Sequence, residues 1–124
     1  MRASVLDMQL ALSLLERSMR AVGWWEEVPP SREALNSVQP FCVDYLTFSQ
    51  WLQWVYIPKM QAYMAAHGAL PPNSDLSSIA EEAWRGCGGQ AQRLLKIVGV
   101  LDDFCNQRAV AEGLCFLKAD EVHH

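Results

Sequence analysis

Val5, Met8, Leu12, Leu15, Met19 and Val22 recur at spacings of 3, 4, 3, 4 and 3, with Leu6, Leu10 and Leu14 widening the stripe. That period is the apolar seam of a packed amphipathic helix. Ala3 or Ser4 is placed to start it, and Gly23 to end it in a left-handed turn. From residue 24 to 46 the period disappears. Pro29-Pro30 breaks any helix, Ser31 caps a short turn over residues 32–36, and Gln39-Pro40 holds the chain extended. A connection this long is uncommon unless it packs or binds something, and Trp24, Trp25, Val28, Leu35, Val38 and Phe41 predict packing.

Thr47-Phe48-Ser49-Gln50 then reads as a capping box opening a second helix, which runs to about His67 and stops at Gly68. Pro58 within it predicts a kink. Asp75 or Ser77 is placed to cap a third helix with Ile79, Ala80, Ala83 and Trp84 turned inward. Gly86-Cys87-Gly88-Gly89 punctuates. A fourth helix carries Leu94, Leu95, Ile97, Val98, Leu101, Phe104 and Cys105, with Gly99 marking a weak point or a close contact. Residues 108–120 admit a fifth, short helix, with Gly113 against it. The expected architecture is all-α: a four-helix bundle with a long ordered crossover between helices 1 and 2. Residues 1–105 form the bundle, and residues 106–124 a C-terminal extension, helix or tail.

With 124 residues, 51% of them hydrophobic, one core can close without metal or disulfide. The formal net charge of −4 and the lack of a Lys/Arg block argue against direct nucleic-acid binding. No apolar run is long enough for a membrane span. Asp7, Gln9, Glu16 and Arg17 interrupt the first apolar positions, against a signal peptide, so a cytoplasmic protein is expected. Cys42, Cys87, Cys105 and Cys115 include no Cys-x-x-Cys pair. Their even number permits two disulfides, but without a secretory signal reduced thiols are the better reading. His123 and His124 read as the remnant of an expression tag.

The candidate chemistry is sparse. His67 stands alone at a helix end, where it would meet free carbonyls. Glu26-Glu27, Glu81-Glu82 and Asp102-Asp103 are adjacent pairs whose side chains diverge on a helix, and they read as solvated. The cysteines and His67 have no metal-site spacing; Cys105 reads as a small core residue, and Cys42 lacks an assured basic neighbour that would activate it. No catalytic residue, metal or cofactor is therefore expected.

The second helix is the most distinctive segment. Phe48, Trp51, Leu52, Trp54, Val55, Tyr56, Ile57, Met60, Tyr63 and Met64 leave it no wide polar face, as in a central helix or one a partner covers. Gln50, Trp54, Pro58 and Gln61 fall within about 80° on its wheel. Tryptophan among amides suits a protein interface, with Gln39, Pro40, Phe41 and Asp44 flanking it. In that reading Trp54 and Phe41 are the anchors, and Gln50, Gln39 and Asp44 orient the partner. The competing reading buries Trp54 under the crossover, its indole N–H on a carbonyl and the glutamines bracing the loop. A different class is an apolar-ligand pocket lined by Met8, Met19, Met60 and Met64. The residues alone leave these open.

Gln39-Pro40-Phe41, Asp44, the run Gln50-Trp51-Leu52-Gln53-Trp54 and Ile57-Pro58-Lys59-Met60 resemble the YqcC-like family of small bacterial proteins. Trp25, Leu70-Pro71, Ile79-Ala80-Glu81-Glu82-Ala83 and Leu101-Asp102 match in support, so the resemblance covers roughly residues 5 to 105. It implies a small helical bundle of unassigned activity. Genes of the family often lie beside one for a tRNA pseudouridine synthase. The residues themselves favour a non-catalytic interaction protein; the resemblance implies such a synthase as its partner, and a second copy meeting across a two-fold axis is equally allowed. Lys59 stands where the family usually has Arg, and residues 106–124 lie beyond the family pattern.

Overall fold

The computed structural model describes residues 1–42 and 46–122, and every regular element among them is helical. Asp44, the side chain of Cys42, His123 and His124 fall outside what is described. Helix α1 spans Val5–Ala21. Ser4 accepts from the Asp7 amide while the Asp7 carboxylate accepts from the Ser4 amide, a closed capping box. At the other end Gly23 has φ 79°. The Gly23 amide donates to the Arg20 carbonyl and the Trp24 amide to that of Met19, the paired bonds of a Schellman turn.

The most extensive packing joins α1 to α6, which spans Gly89–Asn106. Met8, Leu15 and Met19 of the first and Leu94, Ile97, Val98, Leu101 and Phe104 of the second are fully buried. The centre of the core is therefore this pair, and the second helix lies beside it. That second helix is three consecutive segments: α3, Phe48–Trp51; a π-helical turn, Leu52–Tyr56; and α4, Ile57–His67. The predicted kink at Pro58 takes the form of the widened turn just before it. There the Ile57 amide bonds the Leu52 carbonyl, five residues back. A regular α-turn would drive the proline ring against the Trp54 carbonyl; a π turn relieves that crowding by absorbing one extra residue.

The crossover contains a short helix, α2 (Arg32–Leu35), capped by Ser31, and a 3-10 turn, Pro40–Cys42. Ala34, Leu35 and Leu46 pack on Trp51 and Val55, a small cluster separate from the main core. Those contacts hold the described part of the connection around α2, whereas Val28 and Val38, expected to pack, are 76% and 94% exposed.

Helix α5, Ser77–Ala83, has Leu76 at its N-cap position and receives no cap from that side chain. Asp75 accepts from the Ser78 amide and hydroxyl, but the principal acceptor is Asp102 of α6. Its carboxylate takes the Leu76 and Ser77 amides, both at 2.8 Å, and the Ser74 hydroxyl at 2.6 Å. Asp102 is 1% exposed, so the solvated reading of Asp102-Asp103 is corrected: a carboxylate is buried here because three donors satisfy it. Asp103 is half-buried and pairs with Arg108 at 2.8 Å.

Residues 110–122 do form a helix, α7 (Val110–Val122), which packs on α6 and α1 through Val110 and Leu117. Gly113 sits at its contact with α6: a Cβ there would lie 2.7 Å from Cε1 of Phe104. The glycine that weakens the helical pattern is what lets the two helices approach.

Candidate partner-contact surface

Three side-chain amides explain much of how loops are held to this fold. Gln53, 6% exposed, donates to the Glu26 carbonyl at 2.7 Å and accepts from the Glu26 amide at 2.9 Å. Asn106 clasps the backbone of Ser74 in the same way, at 2.8 and 2.9 Å. Gln107 clasps that of Ala3, at 3.2 and 2.7 Å. Each clasp gives a loop or terminal residue the two bonds a neighbouring strand would have supplied.

Around the first clasp sit two predicted contact residues. The Trp54 indole N–H donates to the Glu26 carboxylate at 3.1 Å, and the Gln50 amide donates to both its oxygens at 3.1 and 3.2 Å. The Gln50 oxygen meanwhile accepts from the Thr47 amide, completing the capping box of α3. Glu26 is therefore not the solvated residue it resembles in sequence. Gln50 and Trp54 are half-buried and engaged in tethering the crossover. The bonding matches the bracing expectation, with a side-chain carboxylate as the acceptor.

Among the remaining predicted residues, Gln61 lies on a different flank from Gln39, Pro40 and Phe41. Pro58 and Gln61 are exposed, and Gln61 borders α1 near Gln9, Ser13 and Arg17. Gln39 and Pro40 are also exposed, and Phe41 is 37% exposed. The ring that Phe41 meets is Trp51, edge-on at 4.9 Å. Phe41 has φ 57° and ψ 21°, a left-handed conformation that costs a bulky residue about 1–2 kcal/mol. It turns this ring toward a groove between the start of the second helix and α5.

That groove follows an aromatic ladder. Trp24 faces Trp84 at 5.7 Å, Trp84 meets Phe48 at 5.4 Å, Phe48 stacks on Trp51 at 5.8 Å, and Trp51 meets Phe41. Three adjoining hollows run along it, sharing Phe41 at one junction and Thr47, Phe48 and Ala83 at the other. Among the described residues, their charged lining residues are Glu26, Asp75 and Glu82, with neither Lys nor Arg. Sequence reasoning missed Gln53, Glu26 and α5 as parts of this region. The available signal was Gln53, a polar residue on the stripe formed by Phe48, Leu52, Ile57, Met60 and Met64.

The four methionines proposed to line a ligand pocket, Met8, Met19, Met60 and Met64, are at most 5% exposed and belong to the packed core. His67 is exposed, its ring against Tyr63 at 4.2 Å. Cys105 is buried; burial and the nearby Asp102 carboxylate push its thiol up to about 11, against a smaller lowering by the Ser74 hydroxyl. A thiol so held is protonated at neutral pH and unreactive. The Tyr56 hydroxyl is buried without a hydrogen-bond partner among the described residues. Its ionisation is pushed far upward by burial, then by Cys105 and Asp102.

A family model, DUF446, described as tRNA pseudouridine synthase C, matches residues 7–104. The chain belongs to this family. Its relatives include an uncharacterized protein of Haemophilus influenzae, 36% identical over 95 residues, covering 77% of this chain and 89% of that protein. The uncharacterized protein YqcC of Escherichia coli is 36% identical over 63 residues, 51% of this chain and 58% of that one. A tRNA pseudouridine synthase C of Pectobacterium carotovorum is 39% identical over 72 residues, 58% of this chain but only 19% of the synthase. The solution NMR structure of E. coli YqcC superposes with a TM-score of 0.73 at 29% identity, covering 82% of this chain and 87% of that one. The YqcC-like resemblance is thus established, and with it an all-helical family fold. No helix among the described residues is long and apolar enough to cross a membrane.

Proposed function

We propose that this protein is a non-catalytic accessory partner of a tRNA pseudouridine synthase. The observation that carries the reading is the match to 19% of a protein named tRNA pseudouridine synthase C: a segment homologous to this chain is a minor part of one synthase polypeptide. Covalent linkage keeps two folded units at high effective concentration, and units joined in one chain are candidates to associate when encoded apart. The side chains support a contact role over a catalytic one. Asp102 and Glu26 are occupied in capping and tethering, Cys105 is buried and protonated, and His67 faces solvent against Tyr63.

Of the predicted contact residues, Pro40 and Phe41 offer the accessible apolar surface with Gln39 beside them, while Gln50 and Trp54 position the crossover behind it. Gln61 lies on a second flank, against α1. The protein binds its partner from the cytoplasm, where tRNA is modified, and the partner carries the tRNA.

The test is reconstitution. Pseudouridine formation in tRNA is measured with purified synthase alone, with this protein alone, and with both; association is followed by calorimetry. The expected result is no product from this protein alone, and a complex that changes the synthase's rate or its KM for tRNA. Product from this protein alone, or no association with the synthase, sinks the reading.

A further inference from the structure

We propose that the groove between α5 and the start of the second helix docks an apolar segment bearing Lys or Arg from the protein partner. On the reading above, which this inference rests on, that partner is the synthase. The floor is built for apolar side chains: Phe41, Phe48, Ile79 and Ala83 line it, with Phe41 37% exposed and Ala83 exposed. Its length is set by the aromatic ladder from Trp24 to Phe41, so it suits an extended object such as a helix or strand of another chain better than a compact ligand.

Charge decides what such a segment carries. Glu26 lies at one end of the groove, Glu82 at its middle and Asp75 at the other end, and no cationic side chain among the described residues lines it. Glu26 is bonded to neutral donors, Asp75 to Ser78, and Glu82 forms an exposed pair with Arg85 at 2.7 Å that contributes little and can exchange. A cationic segment would meet three carboxylates and, beside them, the exposed ring of Phe41. An acidic one would be repelled. The whole chain carries −4, whereas a protein that holds tRNA must present cationic surface to neutralise phosphates. The two surfaces are complementary in sign.

The test follows backbone amide shifts of the ¹⁵N-labelled full chain during three titrations: purified synthase, a short amphipathic Leu/Lys peptide, and a Leu/Glu peptide of the same pattern. Synthase and Leu/Lys peptide are expected to shift Ile79, Ala83 and Thr47, the Leu/Glu peptide to leave them in place, and added salt to weaken both complexes. Ala83→Arg, at an exposed position, should weaken binding at least about tenfold. Glu82→Lys serves as a second variant, and circular dichroism verifies that both fold.

If the synthase binds but shifts only the α1–α4 flank and Ala83→Arg has no effect, the groove assignment is wrong and the accessory reading stands. If only the Leu/Lys peptide binds the groove, cationic docking holds and the synthase is the wrong partner. Equal binding of the Leu/Glu peptide, binding of neither peptide nor synthase, or groove shifts that grow with the protein's own concentration, each overturn the proposal.

Discussion

Glu26 shows how a residue's role follows from its donors rather than its type. Its backbone is clasped by Gln53 and its carboxylate takes the Trp54 indole N–H and the Gln50 amide. Removing one partner of a buried bond leaves the other unsatisfied, at about 1–3 kcal/mol. Gln53→Ala orphans both polar groups of the Glu26 backbone and is expected to destabilise the fold by about 2–3 kcal/mol in urea unfolding; a loss below half a kcal/mol would mean that water replaces the clasp. Asp102→Ala deprives three donors at the start of α5 and should cost more, about 3 kcal/mol or above. Tyr56→Phe works in the opposite direction. The hydroxyl it deletes is buried and unpartnered, so the variant should be as stable as the wild type or up to about 2 kcal/mol more stable. A clear loss would reveal a bound water or other partner at that oxygen.

At the scale of elements, the helices and their ends were legible because the signals are local. The 3–4 spacing of α1, the Ser4 and Thr47 boxes and Gly23 each act within one or two turns. What could not be read was any device whose two halves lie far apart in sequence. Asp102 caps α5 from 25 to 28 residues away, Gln107 clasps Ala3 across 104, and Gln53 reaches back 27. Adjacent acids such as Asp102-Asp103 look alike until packing sends one inward and leaves the other half-exposed. The wheel drawn over residues 50–61 failed for a related reason. A π turn over Leu52–Tyr56 breaks the 100° step, and Gln61 borders α1 beside Gln9 and Ser13 rather than the crossover that Gln50 and Trp54 hold.

Gly113 tests element packing directly. Alanine there favours helix by about 1 kcal/mol, but its Cβ would meet Phe104 Cε1 at 2.7 Å and Val100 Cγ1 at 3.2 Å. Overpacking a fitted contact costs about 1–3 kcal/mol. Gly113→Ala should therefore lower stability by about 1 kcal/mol and loosen α7, seen as faster amide exchange over residues 110–122 than over α1. A stabilised protein would mean that the α6–α7 approach is not close-packed.

For the whole molecule, the cluster of Tyr56, Cys105 and Asp102 predicts an alkaline limit to stability. An unfolded chain releases the Cys105 proton near pH 8.5, whereas the folded protein holds it to about 11. Between those values the native state binds more protons than the unfolded one, so unfolding releases a proton and stability falls as pH rises. The stabilising contribution is complete below about pH 8 and is lost as pH passes through about 11. Tyr56, raised from its ordinary value near 10 by burial, adds a second loss of the same sign beginning at higher pH. Lysines also lose charge in that range, so the informative quantity is a difference between proteins at equal pH. The urea midpoint of the wild type should drop between about pH 8 and 11, and Cys105→Ala with Tyr56→Phe should flatten that drop. Equal slopes in the two proteins would show that alkaline loss arises from surface charge, and that the groups between α6 and the second helix ionise without opening the fold.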